Sequence, residues 1–275
     1  MYKIVHYRIR VVRYNLESSF PEKSKEELRR IERKFYHWLS DYAFEALKLL
    51  TISDEELRRH FDVRNTEEVE HCMAKGQNTA AILGHYCNWE WLSTMGLWLP
   101  KERVPGLIYK PLRNKTIDKL FISLRSAHGG GIPVPKNEIL RYIVKYRKEG
   151  KQSLFGYIAD QAPKWKDIHA WLPFLNHDTP VFSGSERIMR KMGDAVFFVE
   201  MTRPRRGYYT CTFRLISEDA SKMPEGEITR LFFTHLEESI RYAPEYYLWS
   251  HDRWKRTHEE FNRRFIVEHG RVIEK

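Results

Sequence analysis

The residues of this sequence best suited to chemistry are His85 and Glu90, in the stretch AILGHYCNWEWL. On one continuous helix, a separation of five residues would turn the two side chains about 140° apart. They can meet only if His85 lies in a loop and Glu90 lies in the first turns of the helix that follows. Gly84 permits the sharp turn this needs, and Asn88 is a suitable N-cap for a helix beginning WEWL.

A histidine backed by a carboxylate is a general base. The carboxylate fixes the imidazole tautomer and raises the basicity of the other ring nitrogen, which then takes a proton from a hydroxyl. Spacing alone leaves a second interpretation open, in which His85 is an ordinary loop residue and Glu90 complements a helix N-terminus. A metal site of His85, Cys87 and Glu90 is disfavoured, because no further ligand cluster follows at a recognisable spacing.

Helices fill the first part of the chain in this prediction. SKEELRRIERKFYHWLSDYAFEALKLL opens with a capping box of Ser24 and Glu27, and apolar residues then recur at helical intervals. SDEELRRHF repeats the capping signature with Ser53 and Glu56, and TEEVEHCMAKG predicts a short helix that ends at Gly76. We therefore predict an N-terminal helical region over residues 1–75.

Short apolar runs alternate with helical segments after Gly76. TAAILG, VPGLIY, GIPVP and SLFGYIAD read as strands, with helices in NWEWLSTMGLWL, NKTIDKLFISLRSAH and KNEILRYIVKYRKEG between them. We predict one more helix in SGSERIMRKMG and a pair of strands in DAVFFVEMTR and YYTCTFRLI. We predict an irregular loop over residues 162–180. The pattern predicts an α/β fold with a mostly parallel central sheet flanked by helices, over residues 76–275.

Composition excludes several classes of protein. The 275 residues are 42% hydrophobic, enough for a large core, and the formal net charge of +10 favours phosphates, anionic lipid or an acidic protein as partners. The three cysteines show no C-x-x-C spacing, so neither a disulfide framework nor a zinc site is indicated. No apolar run is long enough to form a membrane-spanning helix. Basic residues alternate with acids along the helices, so no nucleic-acid partner is expected.

Four blocks, in order, resemble the late lipid A biosynthesis acyltransferases, the lauroyl and myristoyl transferase family within the glycerolipid acyltransferase superfamily. They are the His85 and Glu90 motif, YKPLRN at 109–114 with Arg125 in the next helix, the Asp160 and Gln161 pair, and APEYYLWSHDRWKR near the C-terminus. NLESSFPEKSKEE matches a further segment of that family. The resemblance covers roughly residues 10–265.

The resemblance implies direct acyl transfer from a thioester to a lipid hydroxyl, without a covalent enzyme intermediate. His85 would act as the base, Glu90 would orient it, and Arg125 or backbone amides near Asn88 would stabilise the developing oxyanion. Asp160 has a structural alternative, closing the end of its strand. We assign the following residues to substrate binding: Asn88, Lys110, Arg113, Asp160, Gln161 and Arg253.

The implied partners are acyl carrier protein and a lipid acceptor. No cofactor is expected, and acyl carrier protein or acyl-CoA brings the acyl group as co-substrate. The implied location is the cytoplasmic side of the bacterial inner membrane, with the chain peripheral or anchored by an N-terminal helix absent from this sequence. Three surface predictions accompany this: basic patches at Arg203, Arg205 and Arg206 and at Arg253, Lys255 and Arg256, and membrane contact by Trp165 and Trp171.

Three alternatives stay open at this point. One is O-acylation of an aminolipid or a lysophospholipid, one is a non-catalytic lipid-binding relative, and one is a metal-dependent hydrolase.

Overall fold

The computed structural model describes residue 2, residues 6–268 and residues 271–275. The chain forms two compact units, and we call Asp41–Ile158 with Arg187–Pro224 the sheet unit. We call Met1–Ser40, Ala159–Glu186 and Glu225–Lys275 the terminal unit. Each of the two compact units combines segments from residues 1–75 and from residues 76–275. The division of the chain at residue 75 stays a prediction.

The sheet unit is built on a seven-stranded sheet in the order β1-β9-β8-β2-β5-β3-β4. The strands are β1 (Phe61–Arg64), β2 (Thr79–Leu83), β3 (Val104–Tyr109), β4 (Ile132–Pro135), β5 (Ser153–Ile158), β8 (Ala195–Arg205) and β9 (Tyr208–Ser217). Neighbouring strands are parallel except β8 and β9, which pair antiparallel around the turn PRRG. This confirms the predicted mostly parallel α/β fold.

Strand β2 lies inside the sheet, between β5 and β8. All five of its residues are buried, which explains why its sequence, TAAIL, is apolar without alternation. The strand therefore delivers the residues that follow it, from Gly84 onward, to the carboxyl edge of the sheet. Ligands bind at that edge in open parallel sheets.

The helices begin largely where their capping residues predict. In the first part of the chain they are α1 (Ile9–Ser19), α2 (Lys25–Lys48), α3 (Asp54–His60) and α4 (Thr66–Ala74), followed by α5 (Lys115–Arg125), α6 (Ile139–Lys148) and α7 (Gly184–Met192). Ser24 and Glu27 form the predicted capping box, and Ser53 Oγ accepts the Glu56 amide at 3.1 Å. The prediction that residues 1–75 are all helical is wrong at β1, which pairs with β9.

The terminal unit contains two hairpins and two further helices. The hairpins pair β6 (Ala170–Phe174) with β7 (His177–Val181) and β10 (Phe265–Glu268) with β11 (Arg271–Glu274), and the helices are α8 (Glu227–Tyr242) and α9 (His258–Arg264). The prediction of an irregular loop at 162–180 is therefore wrong for most of its length. Leu175 and Asn176 adopt positive φ angles of 50° and 64°, which closes a two-residue hairpin turn.

The two tryptophans predicted to contact a membrane pack within the terminal unit. Trp165 and Trp171 are partly buried against a cluster of Ile168, Phe261 and Phe265. Their rings stack or meet edge to face with Phe261, at centroid distances of 6.5 and 5.9 Å. Among the described residues, no helix is both long enough and apolar enough to cross a membrane.

Candidate active site

His85 lies in the turn that leaves the carboxyl end of β2. Its side chain is partly buried, and its ring meets Trp89 edge to face at a centroid distance of 5.0 Å. Cys87, two residues on, takes a φ of 50°, an unusual value outside glycine that lets the chain reverse before the next helix. The sequence prediction that His85 precedes a helix, rather than lying within it, is confirmed.

The helix after this turn is a 3-10 helix, Trp89–Leu97, rather than the predicted α-helix. Asn88 occupies the N-cap position, but its side chain makes no capping hydrogen bond. Glu90 is the second residue of this helix and lies in its first turn, where it is only 3% exposed. His85 in the turn and Glu90 in the first turn of the helix therefore occupy the positions that the sequence predicted. A contact between the two side chains stays a prediction.

Glu90 forms a bidentate ion pair with Arg125, the last residue of α5. Arg125 Nε donates to Glu90 Oε2 at 2.9 Å, and Arg125 Nη2 donates to Oε1 at 2.8 Å. The two side chains are 12% and 4% exposed. Burial lowers the pKa of Arg125, but the hydrogen bonds and the charge of Glu90 outweigh it, so its pKa is raised above the usual value. The paired charges fix the plane of the carboxylate.

Two aromatic rings and a phenol complete the surroundings of the ion pair. The guanidinium lies 5.6 Å from the Tyr109 ring centroid and 5.3 Å from that of Phe121. Tyr42 Oη donates to Glu90 Oε1 at 3.4 Å. Burial, followed by the charge of Glu90, raises the pKa of Tyr42 well above its ordinary value, so this phenol stays protonated and remains a donor.

A second polar network, centred on Glu45 of α2, holds the turn from the other side. Asn88 Nδ2 donates to Glu45 Oε2 at 3.0 Å, and Tyr209 Oη donates to the same oxygen at 2.7 Å. Trp91 Nε1 donates to the Glu45 carbonyl at 3.3 Å. Asn88, which we predicted to bind substrate, is buried and donates a hydrogen bond to α2. Its part in substrate binding stays a prediction.

Close backbone contact joins the 3-10 helix to the loop after α5. A Cβ built on Gly96 would lie 1.6 Å from the Gly129 carbonyl oxygen, and one on Gly131 would lie 2.3 Å from the Ser93 carbonyl oxygen. Only glycine allows this approach. The contact brings the segments that carry Glu90 and Arg125 side by side.

Lys110 and Arg113 lie in the exposed loop between β3 and α5. The loop is held by its own polar residues. Asn114 Oδ1 accepts the amides of Thr116 and Ile117 as the N-cap of α5, and Asp118 Oδ1 accepts the Leu112 amide at 2.7 Å. The cations are therefore presented to solvent at the carboxyl edge of the sheet.

The remaining predicted substrate-binding residues lie in the terminal unit. Asp160 is 2% exposed and hydrogen-bonds Tyr247, whose pKa is raised by burial and then by the Asp160 charge. Arg253 is 1% exposed, and its Nη2 donates to the Pro180 carbonyl at 2.8 Å. Burial lowers the pKa of Arg253 below its usual value, against the attraction of Tyr247 and Asp160. Gln161 is exposed.

Each of the two predicted basic patches loses one member. Arg253 is buried, so it does not belong to a surface patch with Lys255 and Arg256. Arg203 has a side chain only 7% exposed and pairs with Asp41 at 2.6 Å. The prediction was wrong for these two members because their partners, Asp41 for Arg203 and the Pro180 carbonyl for Arg253, come from distant parts of the sequence.

Sequence reasoning missed the contribution of α2 to the site. Tyr42 fell among the apolar residues that recur at helical intervals in that segment, and Asp41 and Glu45 were not singled out. The available signal was the pair of acids four residues apart beside an apolar stripe, since adjacent turns of a helix share a face. In the described residues, no group of three or more His, Cys, Asp or Glu side chains could hold a metal ion.

Comparison with known proteins identifies the family. A sequence model described as bacterial lipid A biosynthesis acyltransferase matches residues 1–256. The lipid A biosynthesis palmitoleoyltransferase of Escherichia coli (strain K12) is 24% identical over 248 residues, which cover 89% of this chain and 78% of that protein. A lipid A biosynthesis acyltransferase of Shigella flexneri shows the same identity and coverage. The lipid A biosynthesis lauroyltransferase of Escherichia coli (strain K12) is 24% identical over 253 residues, 90% of this chain and 79% of that protein.

These matches confirm the resemblance stated from the sequence blocks. The match extends over the turn with His85, the ion pair of Glu90 with Arg125, and the buried Asp160 and Arg253. This chain is an O-acyltransferase that belongs to the bacterial lipid A biosynthesis acyltransferase family.

Proposed function

We propose that this enzyme transfers a fatty acyl group from a thioester on acyl carrier protein to a hydroxyl of a lipid A precursor, with His85 as the general base. The observation that carries the mechanism is the buried ion pair of Glu90 with Arg125 beside the turn of His85. His85 lies at the carboxyl edge of the parallel sheet, which is where ligands bind in folds of this class. The carboxylate five residues later is fixed in place, as an orienting group must be.

The reaction needs one proton transfer in each direction. His85 removes the proton of the acceptor hydroxyl while the oxygen attacks the thioester carbonyl carbon. A carbon–oxygen bond forms, and the carbon–sulfur bond of the thioester breaks as the tetrahedral intermediate collapses. The imidazolium returns its proton to the departing sulfur, so the enzyme ends unchanged and no covalent enzyme intermediate forms.

Glu90 and Arg125 have separate parts in this proposal. Glu90 orients the His85 imidazole and stabilises the imidazolium. In this proposal Arg125 acts through Glu90 as a positioning residue instead of stabilising the oxyanion, because its Nε and Nη2 donate to the carboxylate. The backbone amides near Asn88, at the start of the 3-10 helix, are then our candidates for stabilising the oxyanion.

The acyl donor is assigned on charge. Acyl carrier protein is acidic, and the net charge of +10 would draw it toward this enzyme. Lys110 and Arg113 are exposed at the edge of the sheet that carries His85, where they would meet the carrier or the phosphates of the acceptor. Acyl-CoA carries phosphates as well and is the alternative donor.

The acceptor is assigned from the family. The relatives are named for lipid A biosynthesis, one as a palmitoleoyltransferase and one as a lauroyltransferase. We propose the same acceptor class here, with the enzyme working at the cytoplasmic side of the inner membrane. An aminolipid or a lysophospholipid is the alternative acceptor, since its hydroxyl would need the same base.

An acceptor panel tests this function. A labelled acyl group on acyl carrier protein is offered in parallel with a lipid A precursor, a lysophospholipid and a hydroxyacyl aminolipid, to wild type and to Glu90→Ala. Transfer to the lipid A precursor alone, with loss of at least about 100-fold in Glu90→Ala, is the expected result. Transfer to another acceptor would replace our acceptor assignment, and an unimpaired Glu90→Ala would remove Glu90 from the mechanism.

A further inference from the structure

Exposed aliphatic side chains and cations occur together on the β3–α5 loop and the first half of α5. Leu112, Ile117 and Leu120 are 40%, 45% and 38% exposed. The exposed cations of the same stretch are Lys110, Arg113, Lys115 and Lys119. We call these seven residues the α5 face. Single exposed aliphatic side chains are ordinary, but a group of them rimmed by charged residues marks an interaction surface.

The single acid of residues 110–120 is withdrawn from the α5 face. Asp118 is 8% exposed, and its Oδ1 accepts the Leu112 amide at 2.7 Å. This bond also ties Leu112, and the loop that carries it, to the first turn of α5. The face is therefore cationic throughout and is presented by a loop that its own hydrogen bonds order.

The arrangement suits the boundary of a lipid bilayer. Successive residues of an α-helix are about 100° apart, so Lys119 projects beside Leu120 while Ile117 and Leu120 share one flank. Interfacial helices place aliphatic side chains at the boundary of the acyl chains and keep lysines at the level of the head groups. Cations there are attracted to anionic lipids. An acidic carrier protein would explain the cations but would leave the three aliphatic side chains without a reason.

Topology connects the α5 face to the candidate active site. Strands β2 and β3 both run parallel to β5, so their carboxyl ends lie at the same edge of the sheet. His85 follows β2, and Lys110 follows β3. Helix α5 carries the face at its first turns, and its last residue, Arg125, about 15 Å further along the axis, binds Glu90.

We propose that the α5 face docks the sheet unit on an anionic lipid surface, so that the hydroxyl of a membrane lipid reaches the edge of the sheet that carries His85. The docking itself stands on the exposed residues and their charges. The delivery of an acceptor to His85 rests on the proposed function.

Binding of the full chain to vesicles tests the docking without any acyl donor. Partition is measured with vesicles of phosphatidylglycerol and phosphatidylethanolamine, and with vesicles of phosphatidylcholine alone. Wild type is expected to bind the anionic vesicles more strongly, and to lose that preference in high salt. Each cation near an anionic bilayer strengthens binding about fivefold, so Lys115→Gln with Lys119→Gln is expected to weaken it about 25-fold.

The aliphatic side chains are tested with a matched control on another helix. Ile117→Ser with Leu120→Ser is expected to weaken vesicle binding about tenfold or more, because side chains that enter the bilayer interface are removed. Leu140→Ser with Val144→Ser changes two α6 side chains that are 42% and 43% exposed, and is expected to leave binding unchanged. His85→Ala is also expected to bind as wild type does, which separates docking from catalysis.

A fluorescent probe on α5 gives a second measurement. The three cysteines are buried, so Thr116→Cys introduces one accessible thiol for labelling. Its emission is expected to shift to the blue with anionic vesicles, while a probe at Arg141→Cys on α6 does not respond. Equal effects of the α5 and α6 variants, or no binding of wild type to anionic vesicles, would overturn the proposal. So would weakened binding of acyl carrier protein alone in the lysine variant with unchanged vesicle binding, which would give the face to the carrier.

Discussion

Replacing Arg125 with glutamine tests the ion pair that fixes Glu90. The pair joins the side chains through two hydrogen bonds of 2.9 and 2.8 Å, and the partners are 12% and 4% exposed. Removing one partner of a buried pair strands the other charge and costs about 3–5 kcal/mol. Because Arg125 is slightly exposed and Tyr42 still donates to Glu90, we expect Arg125→Gln to lower the free energy of unfolding by about 3 kcal/mol.

Urea unfolding of four proteins measures the contribution of this ion pair to the free energy of unfolding. Wild type, Arg125→Gln, Glu90→Gln and the double variant form a cycle, and the double variant is expected to be more stable than Arg125→Gln because it buries no unpaired charge. Arg141→Gln, an exposed arginine on α6, is the control and is expected to stay within about 0.5 kcal/mol of wild type. An Arg125→Gln protein as stable as this control would show that the pair does not hold Glu90, and the positioning argument would fail.

Three further predictions concern groups outside the ion pair. Burial raises the pKa of Asp194 to about 7. The neutral carboxyl therefore stabilises the fold below about pH 4, and this stabilisation is lost as the pH rises toward 7. Asp194→Asn is expected to remove the resulting slope of about 1.4 kcal/mol per pH unit in the free energy of unfolding, measured with urea across that window. His128, 8% exposed, contacts Asp54 Oδ1 through Nδ1 at 2.5 Å, and His128→Ala is expected to lower thermal stability by about 1–3 kcal/mol. Tyr209→Phe removes a hydrogen bond to Glu45 and is expected to lower kcat more than it raises KM, as seen in steady-state acyl transfer, because the turn of His85 is less well held.

Each of these has an outcome that would contradict it. A stability profile of Asp194→Asn parallel to that of wild type from pH 4 to 7 would mean that the buried carboxyl does not titrate there. Unchanged melting of His128→Ala would mean that its contacts add nothing, and a Tyr209→Phe enzyme with wild-type kcat would detach the Glu45 network from catalysis.

The alternation of strands and helices along the chain, and with it a mostly parallel sheet, could be predicted because local sequence patterns encode it. β2 reads as a continuous apolar run because it is buried on both sides, and the capping box at Ser24 and Glu27 is complete within four residues. The strand β1 was missed because FDVR is four residues long and follows a helix directly. Its strand state depends on pairing with β9, far along the chain, which no local pattern carries.

The candidate site divides in the same way. The turn with His85 and the first-turn position of Glu90 follow from Gly84 and from the spacing of five. The partner of Glu90 could not be derived from residue patterns, because Arg125 is 35 residues away along the chain. The two segments that carry the pair also meet through a close glycine contact that no local pattern predicts. The role of Glu45 was hidden for the same reason, since its partners Asn88 and Tyr209 come from two distant segments.

Acyl transfer by His85→Gln is the most direct test of the central claim. Transfer of a labelled acyl group from acyl carrier protein to a lipid A precursor is followed in a single turnover, beside wild type, with urea unfolding to show that the variant is folded. A His85 that serves as the general base predicts a loss of about 10²–10⁴-fold in the transfer rate. A folded His85→Gln enzyme within about threefold of the wild-type rate would contradict the account, because a general base cannot be removed at so small a cost.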